Sequence, residues 1–254
     1  MSRLPHTSLA YALLQAARID AAVFAGQSLA DGMLARVDSQ ARPAVQDLVY
    51  GSLRQYGRGD FFLAALLDKP LADVEVHALL LVALYRLETR PDATHTVVDQ
   101  AVVAAGELAR GRFRGLVNAV LRNFLRRQAE LTEAAQRDPV AAGQHPAWWL
   151  EQLQKAYPNE WQGIAEAGNG PPPMALRVNC RWIGRWIGRD DYLQRLQQEG
   201  IGGRAWGRDG IVLDKPLPVD RLPGFDEGWV SVQDRKSTRL NSSHLKLSRM
   251  PSSA

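Results

Sequence analysis

Apolar residues recur at helical spacing along almost all of the first 131 residues. They occupy positions i, i+3, i+4 and i+7 in successive windows, while Gly and Pro mark the breaks. Alternation with a period of two, which is typical of a half-buried strand, is nowhere sustained in this half. The pattern predicts an all-α bundle whose first helix begins at about Ser8. The later helices are predicted at about 29–37, 43–56, 59–67, 74–88, 96–108 and 112–128.

The periodicity changes near Pro139. Residues 139–146 are rich in Pro, Gly and Ala and predict a linker, after which the pattern is that of a small α+β domain. Its predicted helices are one or two over 146–167 and one at 190–199, and its predicted strands lie at 174–179, 211–213 and 229–232.

The last twenty residues, 235–254, differ from everything before them. They lack apolar periodicity, are rich in Ser and hold five basic residues and no acidic one. They resemble the translation of a short-read sequencing adapter, with two adapter blocks in the correct order. We interpret them as a disordered artefact that follows a truncated reading frame. The sequence thus predicts an all-α domain at 1–138, a linker at 139–146, an α+β domain at 147–234, and this tail.

Charge gives little support to a nucleic-acid partner when it is counted over the whole chain. The 254 residues contain 31 Lys and Arg and 27 Asp and Glu, but the tail supplies five of the basic groups. The remaining 234 residues are therefore close to neutral. An RNA-binding hypothesis has to rest on a local cluster of basic residues.

Candidate catalytic chemistry is scarce. A single cysteine, Cys180, excludes an internal disulfide, and the histidines have no metal-ligand spacing. The Gly-rich loop at 200–203 follows a helix instead of a strand, so it does not predict a nucleotide site. With no apolar segment long enough for a bilayer span, we expect a cytoplasmic protein without membrane or metal partners and without a catalytic or cofactor-binding residue in this sequence.

One segment does predict binding. In GRFRGLVNAVLRNFLRR, apolar residues form one helical face, and a second set of positions repeats at i+4 without an intervening acid. Several arginines along one helix suit phosphate contacts, since a guanidinium binds phosphate through two hydrogen bonds. A solvated face paired to acids such as Glu107 or Glu130 is the alternative. Arg54 and Arg58 are candidates to extend the cluster. The predicted RNA-binding residues are Arg110, Arg112, Arg114, Asn118, Arg122, Arg126 and Arg127.

Several stretches together resemble a known family. They are VQDLVYGSLRQYGRGDFFLAALLDKPL, the segment containing GLVNAVLR at 115–122, LRVN at 176–179, and LPGFDEGWVSVQD at 222–234. The chain is similar over residues 4–234 to the N-terminal part of the RsmB family, also called Sun or Fmu. These are bacterial 16S ribosomal RNA cytosine-C5 methyltransferases that use S-adenosylmethionine. The first part resembles the all-helical, RNA-binding NusB fold.

The resemblance implies a reaction whose residues have no counterpart here. In the family a Cys thiolate attacks C6 of cytosine, S-adenosylmethionine supplies the methyl group to C5, and a base removes the C5 proton. The family's Rossmann-like catalytic domain would begin where the tail starts, and Cys180 matches none of its motifs. The tandem WIGR repeat at 182–189 also departs from the family pattern. We expect this chain to bind 16S ribosomal RNA and, as it stands, to transfer no methyl group.

Two other functions stay open at this point. A stand-alone NusB-like adaptor would bind RNA and a protein partner during transcription, with no need for a catalytic domain. A purely protein-binding helical module would show no affinity for RNA even at low salt.

Overall fold

The computed structural model describes residues 4–170, 172–179 and 188–233, which divide by their contacts into two units. The first unit ends at Asn169 and the second begins at Gly170. Cys180, most of the WIGR repeat and the tail lie outside the described residues.

The first unit is helical throughout its described length. Short 3-10 turns at Leu29–Asp31, Leu34–Arg36, Pro91–Ala93 and Ala109–Gly111 connect its helices. The helices are α1 (Leu9–Phe24), α2 (Arg42–Arg54), α3 (Tyr56–Leu66), α4 (Val74–Thr89), α5 (Thr94–Ala105), α6 (Arg114–Arg137), α7 (Pro139–Gly143), α8 (Ala147–Ala156) and α9 (Trp161–Asn169).

Helix α4 occupies the centre of this unit. Val76, Leu87 and every residue from 78 to 84 are buried, and α1, α2, α3, α5 and α6 all pack against it. Asp73 caps its first turn by accepting a hydrogen bond from the backbone N–H of Val76 at 3.0 Å. A helical segment that is apolar on all sides, as residues 78–84 are, has to be enclosed in this way. The packing confirms the all-α bundle that the periodicity predicts.

The structure departs from the predicted elements at three places in this unit. The first is the end of α6, which lies at Arg137 instead of about residue 128. The helix predicted at 29–37 is instead two 3-10 turns, because Gly32 between them adopts the left-handed conformation at φ 75°. The predicted linker at 139–146 contains α7, whose Ala141 is buried and which packs on α3 and α6. Asp138 caps α7 by accepting from the N–H groups of Val140 and Ala141. Composition does not distinguish a linker from a helix here, because Pro, Gly and Ala also suit a short capped turn of helix.

The second unit is a four-stranded antiparallel sheet with one helix. Among the described residues, the strands lie in the order β2 (Gly203–Trp206), β3 (Gly210–Leu213), β1 (Ala175–Val178) and β4 (Val230–Val232). Strand β1 places Leu176 opposite Ile211 of β3 and Val232 of β4. Tyr192 and Leu196 of the helix are fully buried against the sheet. This confirms the predicted α+β class and adds β2, which the sequence did not predict. The elements are β1 (Ala175–Val178), α10 (Arg189–Gln198), β2 (Gly203–Trp206), β3 (Gly210–Leu213) and β4 (Val230–Val232).

Within the described ranges, no helix combines the length and apolarity that a bilayer crossing requires.

A buried carboxyl group lies between α1 and α2. Asp20 is inaccessible to solvent, and its Oδ2 lies 2.6 Å from the Ser52 hydroxyl, which is also 2.7 Å from the Leu48 carbonyl oxygen. Burial raises the pKa of Asp20 to about 7, and the hydrogen bond with Ser52 only partly offsets this. Below that pH the protonated carboxyl can donate to the Ser52 oxygen while Ser52 donates to Leu48.

This pKa makes stability depend on pH. The folded protein holds the proton up to about pH 7, whereas the unfolded chain releases it near the ordinary value of 3.8. The free energy of unfolding should therefore fall by up to about 4 kcal/mol as the pH rises from about 4 to 7. Asp20→Asn should remove this dependence, as measured by urea unfolding across that pH range, while the exposed control Asp68→Asn should retain it. An equal pH dependence in wild type and Asp20→Asn would contradict the assignment.

Candidate nucleic-acid interface

The apolar face of α6 fixes the direction of its other side chains. Val117, Val120, Leu121 and Phe124 are buried, and the Phe124 ring lies 5.1 Å from that of Phe62 on α3. Because each helical residue turns by about 100°, the positions that repeat at i+4 drift by only about 40° per step. Arg114 begins beside the buried face, and the later members of the repeat lie progressively further toward solvent. The sequence-predicted repeat is thus one continuous outward-facing row.

Neutral amides hold two of the three arginines of this row, Arg122 and Arg126. Asn118 Oδ1 accepts a hydrogen bond from Arg122 Nε at 2.9 Å, and Asn123 Oδ1 accepts from Arg126 Nη2 at 3.5 Å. Arg114, Arg122 and Arg126 are exposed, and among the described residues none of the three forms an ion pair with an acid. An amide orients a guanidinium without cancelling its charge. These arginines therefore keep their full positive charge for an external anion.

Two more arginines lie just before α6. Ala109, Arg110 and Gly111 all have positive φ, and this left-handed turn leads directly into the helix. Arg110 is exposed, as is Arg112, whose guanidinium lies 4.6 Å from the Phe113 ring centre.

The beginning of α6 is electrostatically unusual. The helix has no side-chain cap and no acidic residue in its first turn, although its N-terminus carries the positive end of the helix dipole. Arg110, Arg112 and Arg114 add further positive charge at the end where helices favour acids. An anion that binds here relieves the repulsion between these positive charges and accepts hydrogen bonds from the uncapped N–H groups.

Arg127 does not share this arrangement. It lies about 100° around α6 from Arg126, on the flank that faces α3, and its Nη1 donates to the Ala65 carbonyl oxygen at 3.4 Å. Its Nη2 is 2.7 Å from Glu130 Oε1, and this hydrogen bond and charge raise the pKa of Arg127 and lower that of Glu130. Arg127 is therefore neutralised by an acid. This is the arrangement that a solvated face paired to acids would show at every arginine. We call the remaining six residues, Arg110, Arg112, Arg114, Asn118, Arg122 and Arg126, the α6 cluster.

The two arginines considered as an extension of the cluster also differ from each other. Arg58 is half-buried and makes a bidentate contact with Glu88, with distances of 2.8 and 2.9 Å to Oε1. Arg54 is exposed and has no ion pair with a described acid. The sequence treats the two alike because it does not show which acid is nearby.

The described histidines are dispersed. His77 lies 3.6 Å from Asp60, His6 lies 3.2 Å from Asp38, and His145 stacks on Trp149. Over the ranges that the structure describes, no three His, Cys, Asp or Glu side chains form a group that could hold a metal ion.

Comparison with known proteins supports this two-part organisation. Residues 9–126 match the NusB family, and residues 145–220 match the RsmF/B-like methyltransferase ferredoxin-like domain. A structure titled "Crystal Structure of PH0851" shares the fold with a TM-score of 0.56 at 14% identity, over 91% of this chain and 54% of that one.

Curated relatives match nearly the whole chain. The ribosomal RNA small subunit methyltransferase B of Pseudomonas putida is 42% identical over 92% of this chain and 54% of its own length. The proteins of the same name from Pseudomonas syringae and Escherichia coli are 40% and 38% identical over 87% of this chain and 50% and 52% of their own lengths. The chain thus spans about half the length of these relatives. The chain thus holds a NusB-family region followed by an RsmF/B-like ferredoxin-like region, and over nearly its whole length it is similar to the ribosomal RNA small subunit methyltransferase B proteins.

Proposed function

We propose that this chain supplies RNA binding to an S-adenosylmethionine-dependent methyltransferase that modifies a cytosine of 16S ribosomal RNA at C5. The observation that carries the proposal is the α6 cluster. Five exposed arginines lie at the positive end of α6 and along its outward face, and none of them forms an ion pair with a described acid. Amides hold two of them, Arg122 and Arg126. The names of the relatives support ribosomal RNA as the partner.

In this proposal the α6 cluster contacts phosphates and positions the RNA, while it reads no base. The row of Arg114, Arg122 and Arg126 follows the helix axis at intervals of one or two turns, so it can track a phosphate backbone. S-adenosylmethionine would supply the methyl group, and no described residue of this chain is assigned to that step. The same proposal assigns the protein to the cytoplasm, where ribosomal RNA is modified.

One prediction concerns the row of arginines on α6. Replacing Arg114, Arg122 and Arg126 by Gln should weaken binding to 16S ribosomal RNA and lower the slope of log K against log salt by about 2. The slope becomes less steep because a complex with fewer phosphate contacts releases fewer counterions when it forms. Filter binding at several salt concentrations measures both quantities.

The matched control removes the same charge elsewhere. Arg90, Arg127 and Arg137 all pair with acids, namely Asp92, Glu130 and Glu133, so their triple Gln variant should keep the wild-type slope. Equal slopes for both triple variants would assign the α6 cluster to an ordinary solvated face. No binding by the wild-type chain even at low salt would favour a protein-binding module.

The second prediction tests the role of the amides. Asn118→Asp keeps the side-chain shape and places a carboxylate 2.9 Å from Arg122 Nε, so it should neutralise that arginine in place. We expect weaker RNA binding and a slope lowered by about one phosphate equivalent. The new carboxylate pairs with Arg122 at the favourable i,i+4 spacing, so thermal unfolding should be unchanged or shifted upward.

Gln136→Glu makes the same charge change on an exposed position near the end of α6 and serves as the control. RNA binding that falls equally in both variants would show that only net charge matters, contrary to a role for Arg122.

A further inference from the structure

An open groove of about 400 Å³ lies on the bundle between α2 and α4. Its α2 side is one helical face, because the lining residues follow the spacing i, i+3, i+4, i+7 and i+11. The residues on this face are Pro43, Gln46, Asp47, Tyr50 and Arg54. Tyr85 of α4 forms the opposite wall. The volume falls within the range of small-molecule sites, and most of the lining groups are polar or aromatic.

Tyr50 and Arg54 are exposed neighbours on this face, with the Arg54 guanidinium over the Tyr50 ring. The Tyr50 side chain is 37% exposed, and the Arg54 guanidinium carbon lies 5.7 Å from its ring centre. This distance is near the limit of a cation–π contact, so Arg54 is held weakly. Arg54 also has no ion pair with a described acid, and both planar groups are therefore available to a ligand.

The opposite wall is fixed by packing. A Cβ at Gly51 would overlap the Tyr85 ring, so the glycine makes room for this tyrosine against α2. Burial raises the pKa of Tyr85, and the nearby Asp47 carboxylate adds to the effect. Asp47 in turn lies 3.6 Å from Arg86 Nη1. The groove thus combines a rigid aromatic wall with a carboxylate and an amide, Gln46, at its rim.

We propose that this groove binds one unpaired nucleobase of the RNA, a contact that rests on the proposed function and lies apart from the α6 cluster. The base stacks on the exposed Tyr50 ring in place of the loosely held Arg54, Asp47 and Gln46 meet its hydrogen-bonding edge, and Arg54 moves to the adjoining phosphate. Aromatic rings and guanidinium planes are the groups that hold bases splayed out of single-stranded RNA. A protein partner is less suited, because the rim is charged and lacks the apolar core of a protein interface.

Free nucleotide provides a test that does not depend on the α6 cluster. Titration of the chain with cytidine 5′-monophosphate should shift the NMR signals of the Tyr50 and Tyr85 rings, whereas ribose 5-phosphate, which lacks a base, should not. Tyr50→Ala should abolish the shift at Tyr85. Equal shifts with both compounds, or none with the nucleotide, would overturn the proposal.

RNA binding provides the second test. Tyr50→Ala should weaken binding to a hairpin with an unpaired loop by about tenfold, and should leave the salt slope and binding to a fully paired duplex unchanged. Tyr50→Phe keeps the ring and should bind like wild type; since residue 50 is exposed, neither variant should change the circular dichroism. Loss of binding in the Arg114, Arg122 and Arg126 triple variant, together with wild-type binding by Tyr50→Ala, would overturn the groove alone. The reverse result would overturn the α6 cluster and leave the groove.

Discussion

The burial of α4 is the constraint on which the rest of the first unit depends. The middle of this helix, residues 78–84, is apolar on every side and cannot face water, and five neighbouring helices enclose it. Each neighbour has to direct its own apolar stripe toward this core, so its remaining face is turned outward. The arginine row of α6 and the lining of the α2 groove are both such outward faces. The two proposed contacts with RNA therefore arise from one packing requirement and need no further fold.

The α6 cluster carries an electrostatic cost that packing does not explain. Helices usually place acids near the N-terminus, where the dipole is positive, and an acid beside an exposed arginine would ordinarily reduce repulsion. Here the first turn has no acid, and Asn118 stands where Asp or Glu would pair with Arg122. Arg127 on the same helix shows the usual solution, since Glu130 neutralises it. The contrast within one helix separates charge that stabilises the fold from charge that is left available.

The sequence predicted the parts of this arrangement that depend on periodicity. The all-α bundle, the α+β class of the second unit and the i+4 repeat in α6 all follow from spacing along the chain. It grouped Arg127 with the row because adjacency in sequence does not reveal the rotation of 100° that turns this residue toward Ala65. It missed β2 because Gly203 and the turn at 207–209 interrupt the alternation. It also gave no sign of the α2 groove, since Tyr85 is distant in sequence and its position depends on Gly51.

The distribution of charge explains why position matters more than quantity in this protein. Outside the last twenty residues, acidic and basic groups nearly balance, so long-range attraction of RNA to the whole surface is weak. Screening at physiological salt further reduces this attraction beyond a distance of about 8 Å. In the proposed function, RNA binding then depends on short-range contacts with arginines that lack acidic partners among the described residues. A surface of this kind favours RNA that presents its phosphates and an unpaired base at the spacing of the protein groups, and it gives up affinity for nucleic acid in general.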